Sequence, residues 1–241
     1  MRTLQITLGI CFFIFLMSCE SSSSKKSSET YPDVKIISAM KNVMWKGELQ
    51  GKIHLDTIAN KKGLYGIGPV SFLSGELLIN DGKSYVSRVA SDTTMIVEKT
   101  FAVKAPFFVY ANVTDWNTIK LPSVVSSVKD VETYVDEQTK NYKRPFVFTL
   151  KGTIKKATIH IQNLPKGTKV SSPKEAHQGQ VNYKLTNEEV EIIGFFSTEH
   201  HGVFTHHDSN IHMHLITKDE SKMGHVDALE IENMQLFLPK K

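Results

Sequence analysis

The sequence predicts an α+β fold in two sheet-containing halves, of mixed or antiparallel strands with few helices, and three observations carry that expectation. Strand-like apolar runs outnumber helical ones. They follow one another without the regular crossover helices of a doubly wound parallel sheet. One amphipathic segment in mid-chain stands apart, and it divides the folded region into halves of about 33–140 and 141–241.

Taken in order, YPDVKIISAMKNVMWKGELQGKIHLDTIANKKG opens on a short apolar run and then reads as helix. Leu49, Ile53 and Ile58 recur at roughly helical spacing, and Lys61-Lys62-Gly63 reads as the stop. GLYGIGPVSFLSGELLINDGKSYVSRVAS has the character of β-structure broken by turns. Within it, Asn80-Asp81-Gly82-Lys83 marks a hairpin between ELLI and SYVSRV. APFFVYANV is a further strand. In LPSVVSSVKDVETYVDEQTKN the residues Leu121, Val124, Val125, Val128, Val131 and Val135 form one stripe at helical period. Charges lie opposite, which predicts an amphipathic helix packed on a sheet. RPFVFTLKGTIKKATIHIQNLP predicts a hairpin bent near Gly152. After a polar stretch from 165 to 183, EVEIIGFFST, NIHMHLIT and ENMQLFLP predict three more strands.

The N-terminus reads as an export signal. Arg2 gives a minimal positive region, and LGICFFIFLM is an apolar run too short for a comfortable membrane span. Leu16-Met17-Ser18-Cys19 resembles a bacterial lipobox, which makes 1–18 a lipoprotein signal peptide and Cys19 the lipidated residue. The Ser-rich run over 19–32 reads as a flexible tether. The expected location is therefore outside the cytoplasm, periplasmic or surface-facing, with membrane contact by the lipid anchor only. Cys11 and Cys19 are the two cysteines, so the folded part has no thiol or disulfide, and a metal site there must use His, Asp or Glu. A formal net charge of +4 is too mild to argue for nucleic acid, there is no long basic stripe with interleaved aromatics, and no nucleic-acid partner is expected.

Seven of the ten histidines fall late in the chain: His200, His201, His206, His207, His212, His214 and His225. On a strand, residues i and i+2 share a face, so His212 and His214 point together while Ile211, Met213 and Leu215 turn to the core. His225, beyond the TKDESKMG turn, arrives on a neighbouring strand. Three imidazoles with open positions beside them form the usual face of a catalytic zinc site. The competing reading is a solvated polar strand face. The doublets His200-His201 and His206-His207 put neighbours on opposite faces and read as loop or supporting residues. A cupin motif places its glutamate closer to the second histidine than Glu220 stands here, and its glycine farther on than Gly224.

Two stretches together resemble the α-acetolactate decarboxylase family. In GLYGIGPVSFLSGELLINDGKSYV the match is carried by Gly66, Gly68, Gly75, Glu76, Leu77, Asp81, Gly82 and Tyr85; in IHMHLITKDESKMGHV it is carried by His212, His214 and His225. EIIGFFS before the second stretch also fits, and the order of elements matches over roughly residues 35–239, so 33–241 is expected to form one such domain. The resemblance implies an α+β fold and Zn²⁺ held by the three histidines. It also implies conversion of a 2-hydroxy-3-keto acid, 2-acetolactate, to acetoin and CO₂. It makes Glu76 the candidate proton donor or metal-water positioner. It also implies an arginine on the strand of GTIKKATIHIQ, where this sequence has His160. Arg88 and Arg144, the arginines beyond the leader, do not match, leaving His160, Lys155 or Lys156 as the cation for the substrate. A further family glutamate beyond the last strand has no counterpart before Lys241, and the family's Gly-Gly is Met223-Gly224. The expected partner is a small keto acid; a homodimer is one assembly open to the chain. The alternative is a non-catalytic lipoprotein that keeps the metal site to bind zinc or a ligand on zinc.

Overall fold

The computed structural model describes residues 34–240, so the leader, Cys19 and the tether lie outside the described residues. Among the described residues, antiparallel strands dominate. The first sheet is six-stranded. Its strands are β1 (Lys35–Ile37), β3 (Leu64–Pro69), β4 (Glu76–Asn80), β5 (Lys83–Val89), β6 (Met95–Lys99) and β8 (Phe108–Asn112). They lie in the order β1-β8-β3-β4-β5-β6. A short pair, β2 (Ile53–His54) and β7 (Lys104–Ala105), stands beside it.

The second sheet closes on itself. β10 (Phe146–Ile161) pairs with β11 (Val181–Phe196), β11 with β12 (Ile211–Thr217), β12 with β13 (Met223–Pro239), and β13 again with β10. β9 (Trp116–Lys120) joins the far end of β13, so a strand preceding the mid-chain helix belongs to the second sheet. The closed sheet wraps a core of Phe146, Phe148, Phe196, Met213 and Leu215, covered by Val131 and Val135 of the helix α2 (Val128–Gln138). Each such fully buried side chain contributes roughly 1.5–3 kcal/mol. Tyr65, Ile67, Leu78 and Val109 of the first sheet meet Val147, Ile193, Phe195 and Ile216 of the second, and this shared layer fixes one sheet against the other.

The hairpin over Asn80–Lys83 forms as the sequence predicts, because Asp81 (φ 45°) and Gly82 (φ 78°) take the left-handed conformations a two-residue turn needs. Other boundaries differ. The first helix, α1 (Met40–Lys46), stops at Gly47, whose φ of 64° lets its N–H turn back to the Val43 carbonyl. Leu49, Ile53 and Ile58 therefore lie beyond it, in extended and turn structure. α2 starts at Ser127, not at Leu121. Ser127 Oγ accepts from the Asp130 N–H and Asp130 Oδ2 accepts from the Ser127 N–H, a reciprocal cap that sets the start. Leu121 and Val125 reach the core from an irregular segment, while Val124 is 81% exposed.

The expected hairpin at Gly152 is instead one continuous strand of 16 residues, β10. Gly152, at φ 151°, bends it where a Cβ would meet the Asn233 carbonyl oxygen at 2.1 Å. Likewise ENMQLFLP is the C-terminal part of a 17-residue strand that begins at Met223 and carries His225. In the polar stretch, Ser172 caps the short helix α3 (Pro173–Ala176), which packs on α1.

Candidate metal centre

Every residue of β12 is buried. Ile211, Met213 and Leu215 enter the core inside the closed sheet, so the alternation puts His212 and His214 on the other face. That face is covered rather than solvated: His212 is 3% and His214 1% exposed. Their Nε2 atoms lie 3.2 Å apart. Neither ring's Nδ1 has a hydrogen-bond partner of good geometry.

The turn after β12 returns the chain in register. Asp219 Oδ1 accepts from Thr217 Oγ1 at 2.6 Å and from the Ser221 N–H at 3.1 Å, and this clasp shapes the turn. β13 then sets His225 opposite His214 on one side and opposite His160 of β10 on the other. A Cβ at Gly224 would meet the His160 carbonyl oxygen at 2.6 Å, so the close approach of β13 to β10 requires glycine there. His206 enters from the loop between β11 and β12, and its Nε2 lies 3.3 Å from His225 Nε2. That loop is held at its base by Asn210, whose side chain donates to Glu132 of α2 at 3.0 Å. Ring centroids are 5.0 Å apart for His212 and His225, and 5.6 Å for His214 and His225.

Glu76, first residue of β4, is the first sheet's contribution. It is 3% exposed, its Oε1 accepts from the Gln162 N–H at 3.2 Å, and its Oε2 lies 3.8 Å from His214 Nε2. Glu76, His160, His206, His212 and His225 line a cavity of about 30 Å³, closed on its apolar side by Met44 and Phe107. His160, His177 and His206 also border an open cleft of about 660 Å³, which places them between cavity and solvent.

The electrostatics follow from burial. Desolvation holds the pKa of His212 and His214 well below the usual imidazole value, and neighbouring imidazoles push the same way. Burial brings His225 down to about 3, aided by His160 and His206 against the pull of Asp227. These rings are neutral at ordinary pH, with a lone pair each. Burial raises Glu76 well above the carboxylate range against the opposing Gln162 hydrogen bond, and the Asp227 charge adds to the rise. Burial therefore favours the protonated form of Glu76.

Neutral, buried, thiol-free nitrogen donors suit zinc. Two nitrogens on one tetrahedral zinc stand roughly 3.3 Å apart, given bonds of about 2.0–2.1 Å. The spacings at His212–His214 and at His206–His225 are 3.2 and 3.3 Å. Each of these two spacings matches a pair of ligands on such an ion. Among the described residues, the group whose ligand atoms converge, one from each within 4.8 Å of one another, is His160, His225 and Asp227.

The structure brings together Glu76, His160, His212, His214 and His225. His206, read from sequence as a loop or supporting residue, joins them, whereas His200 pairs with Ser197 and His201 with Asn210. Lys155 and Lys156 are exposed and face Glu230, outside the cavity. Arg88 donates to the Ser74 carbonyl, and Arg144 is taken by Asp136 and the Phe196 ring. Asp227, Gln162 and His177 were not singled out in the sequence. Only Asp227 carried a signal, standing two residues after His225. Its carboxylate is opposed by burial, but hydrogen bonds from His160 and His225 outweigh that and hold its pKa low.

Comparison with known proteins shows which chains this one is similar to. Alpha-acetolactate decarboxylase from Lactococcus lactis subsp. cremoris is 31% identical over 177 residues, covering 72% of this chain and 70% of that protein. The Brevibacillus brevis alpha-acetolactate decarboxylase is 24% identical over 218 residues, covering 86% and 73%. The crystal structure of alpha-acetolactate decarboxylase from Bacillus subtilis strain 168 superposes with a TM-score of 0.71 at 24% identity, covering 86% of each chain, and shares the fold. Residues 36–240 match the family model described as alpha-acetolactate decarboxylase, so the chain belongs to that family.

Proposed function

We propose that this protein is a zinc-dependent carboxy-lyase that converts 2-acetolactate to acetoin and CO₂. One observation carries the reading: a buried carboxyl, Glu76, shares a cavity with a cluster of buried histidines, and its Oε2 stands 3.8 Å from His214 Nε2. His212, His214 and His225 would hold the ion. When bound, zinc supplies a Lewis acid for the electron pair released as the carboxylate leaves.

The chain's own residues account for the rest. Loss of CO₂ breaks one carbon–carbon bond and leaves a pair on the former α-carbon, which must take up a proton to give acetoin. With Glu76 Oε1 engaged by the Gln162 N–H, Oε2, on the histidine side, is the oxygen left to carry and deliver that proton. Met44 and Phe107 line the same cavity as Glu76, giving it an apolar wall. His160, bordering the cleft with His177 and His206, stands where the family places an arginine and is the candidate neighbour of the substrate carboxylate.

A second reading, a zinc- or ligand-binding protein without catalysis, is favoured by one observation. Among the described residues, no arginine or lysine lines the cavity. The test is acetoin and CO₂ release from racemic acetolactate by the purified full chain loaded with zinc. Equal amounts of both support the decarboxylase; neither product, with zinc bound, supports the second reading. The lipobox reading of residues 16–19 further leads us to place the enzyme on a bacterial membrane through acylated Cys19, outside the cytoplasm.

A further inference from the structure

The pairing of β10 with β13 runs in register from His160↔His225 to Ile159↔Val226, then resumes at Thr158↔Ala228. Asp227 is the residue skipped, the extra residue of a β-bulge. A bulge bends its strand and re-aims a side chain. Here it turns Asp227 onto the two strand-paired histidines: Oδ1 lies 2.7 Å from His160 Nδ1 and 3.3 Å from His225 Nδ1. The two rings stack at 4.5 Å between centroids and 26° between planes, as two imidazoles facing one oxygen would.

An ionised carboxylate only accepts hydrogen bonds, so both facing nitrogens must carry hydrogen. His160 Nε2 lies 3.5 Å from the Gln162 side-chain amide. With hydrogen on Nδ1, each ring keeps its lone pair on Nε2. For His225 that is the atom facing His206 Nε2 in the histidine cluster; for His160 it is the atom beside Gln162 on the cavity wall.

We propose that Asp227 is a positioning residue whose one carboxylate oxygen locks His160 and His225 in the Nδ1–H tautomer, so that both present Nε2 to the site. Asp227 acts through the two rings that it contacts. The assignment adds to the function proposed above, but it is read on protein without metal or substrate, so the two stand or fall separately.

The experiment is two-bond ¹H–¹⁵N spectroscopy of the full chain carrying ¹⁵N-histidine, metal-free and then titrated with zinc, beside Asp227→Ala. Wild-type protein is expected to show hydrogen on Nδ1 of both His160 and His225. Zinc should shift His225 Nε2 while leaving both Nδ1–H signals. Asp227→Ala should mix the tautomers and weaken zinc binding by about 10–100-fold. An Nε2–H tautomer on either ring in wild type overturns the assignment, whether or not the variant folds. Loss of both Nδ1–H signals on adding zinc also overturns it, since the ion would then sit on His160, His225 and Asp227 directly. Nδ1–H on both rings without acetoin formation would leave the positioning role standing and remove the decarboxylase reading alone.

Discussion

His225 is the direct cross-strand partner of His214, and this register, more than the spacing within His-Met-His, makes the site. A slip of one residue between β12 and β13 would turn His225 to the opposite face, away from His212 and His214. The Asp219 turn on one side and the Gly224 contact with β10 on the other pin the register from both ends.

Gly224→Ala tests that pinning. Its new Cβ would fall 2.6 Å from the His160 carbonyl oxygen, a backbone atom that cannot swing away. The strand must lift, at about 1–3 kcal/mol of stability. Equilibrium denaturation should show that loss, and competitive chelator titration should show weaker zinc binding than in wild type. A variant with native stability and native affinity would mean that β13 has slack there.

Glu76→Gln keeps the shape of the buried side chain and its bond from the Gln162 N–H but has no acidic proton. Steady-state acetoin release should fall by roughly 10²–10⁴ in kcat, while the zinc content stays that of wild type. Equal loss of zinc and activity would instead assign Glu76 to holding the metal.

Stability should depend on acid through the turn that delivers His225. Asp219 is pulled from 3.8 down to about 2, chiefly by the Thr217 hydroxyl and then by the Ser221 N–H and hydroxyl. A carboxylate depressed in the folded state stabilises the fold above its unfolded pKa, and the contribution disappears as pH falls through about 2. Comparing urea midpoints of wild type and Asp219→Asn at neutral pH and in acid should show a gap that closes across that window. A gap independent of pH would assign the turn's stability to hydrogen-bond geometry rather than charge.

Anchoring is tested in cells of a bacterium that processes lipoproteins. The full chain should take up radiolabelled fatty acid and fractionate with membranes, and Cys19→Ala should do neither. Label retained in Cys19→Ala would remove the lipobox reading.

What was legible in the sequence were features set by neighbours in the chain. The hairpin at Asp81-Gly82 follows from two residues that tolerate left-handed backbone, and the shared face of His212 and His214 follows from strand alternation. Element lengths were hidden where distant contacts decide them. Gly152 signals a turn locally, yet β13 packs so closely against it that the strand bends and continues. Leu121, Val124 and Val125 fit a helical stripe, yet the cap at Ser127 starts the helix after them. Asp227 was hidden for a similar reason. Strand periodicity puts it on the face of His225, but its grip on His160 depends on a bulge against β10 that local pattern does not show. His206 depends on a loop anchored to α2 through Asn210, and doublet spacing carries no trace of that anchor.

The central claim is that the histidine cluster holds one ion on which the reaction depends. Its most direct test is to strip the full chain with chelator, titrate zinc back, and follow bound zinc and acetoin release in the same samples, with His212→Ala alongside. The account predicts that activity rises in proportion to bound zinc and levels off at one zinc per chain, and that His212→Ala neither binds at that stoichiometry nor recovers. Full acetoin release from the stripped protein, unchanged by zinc, would contradict it.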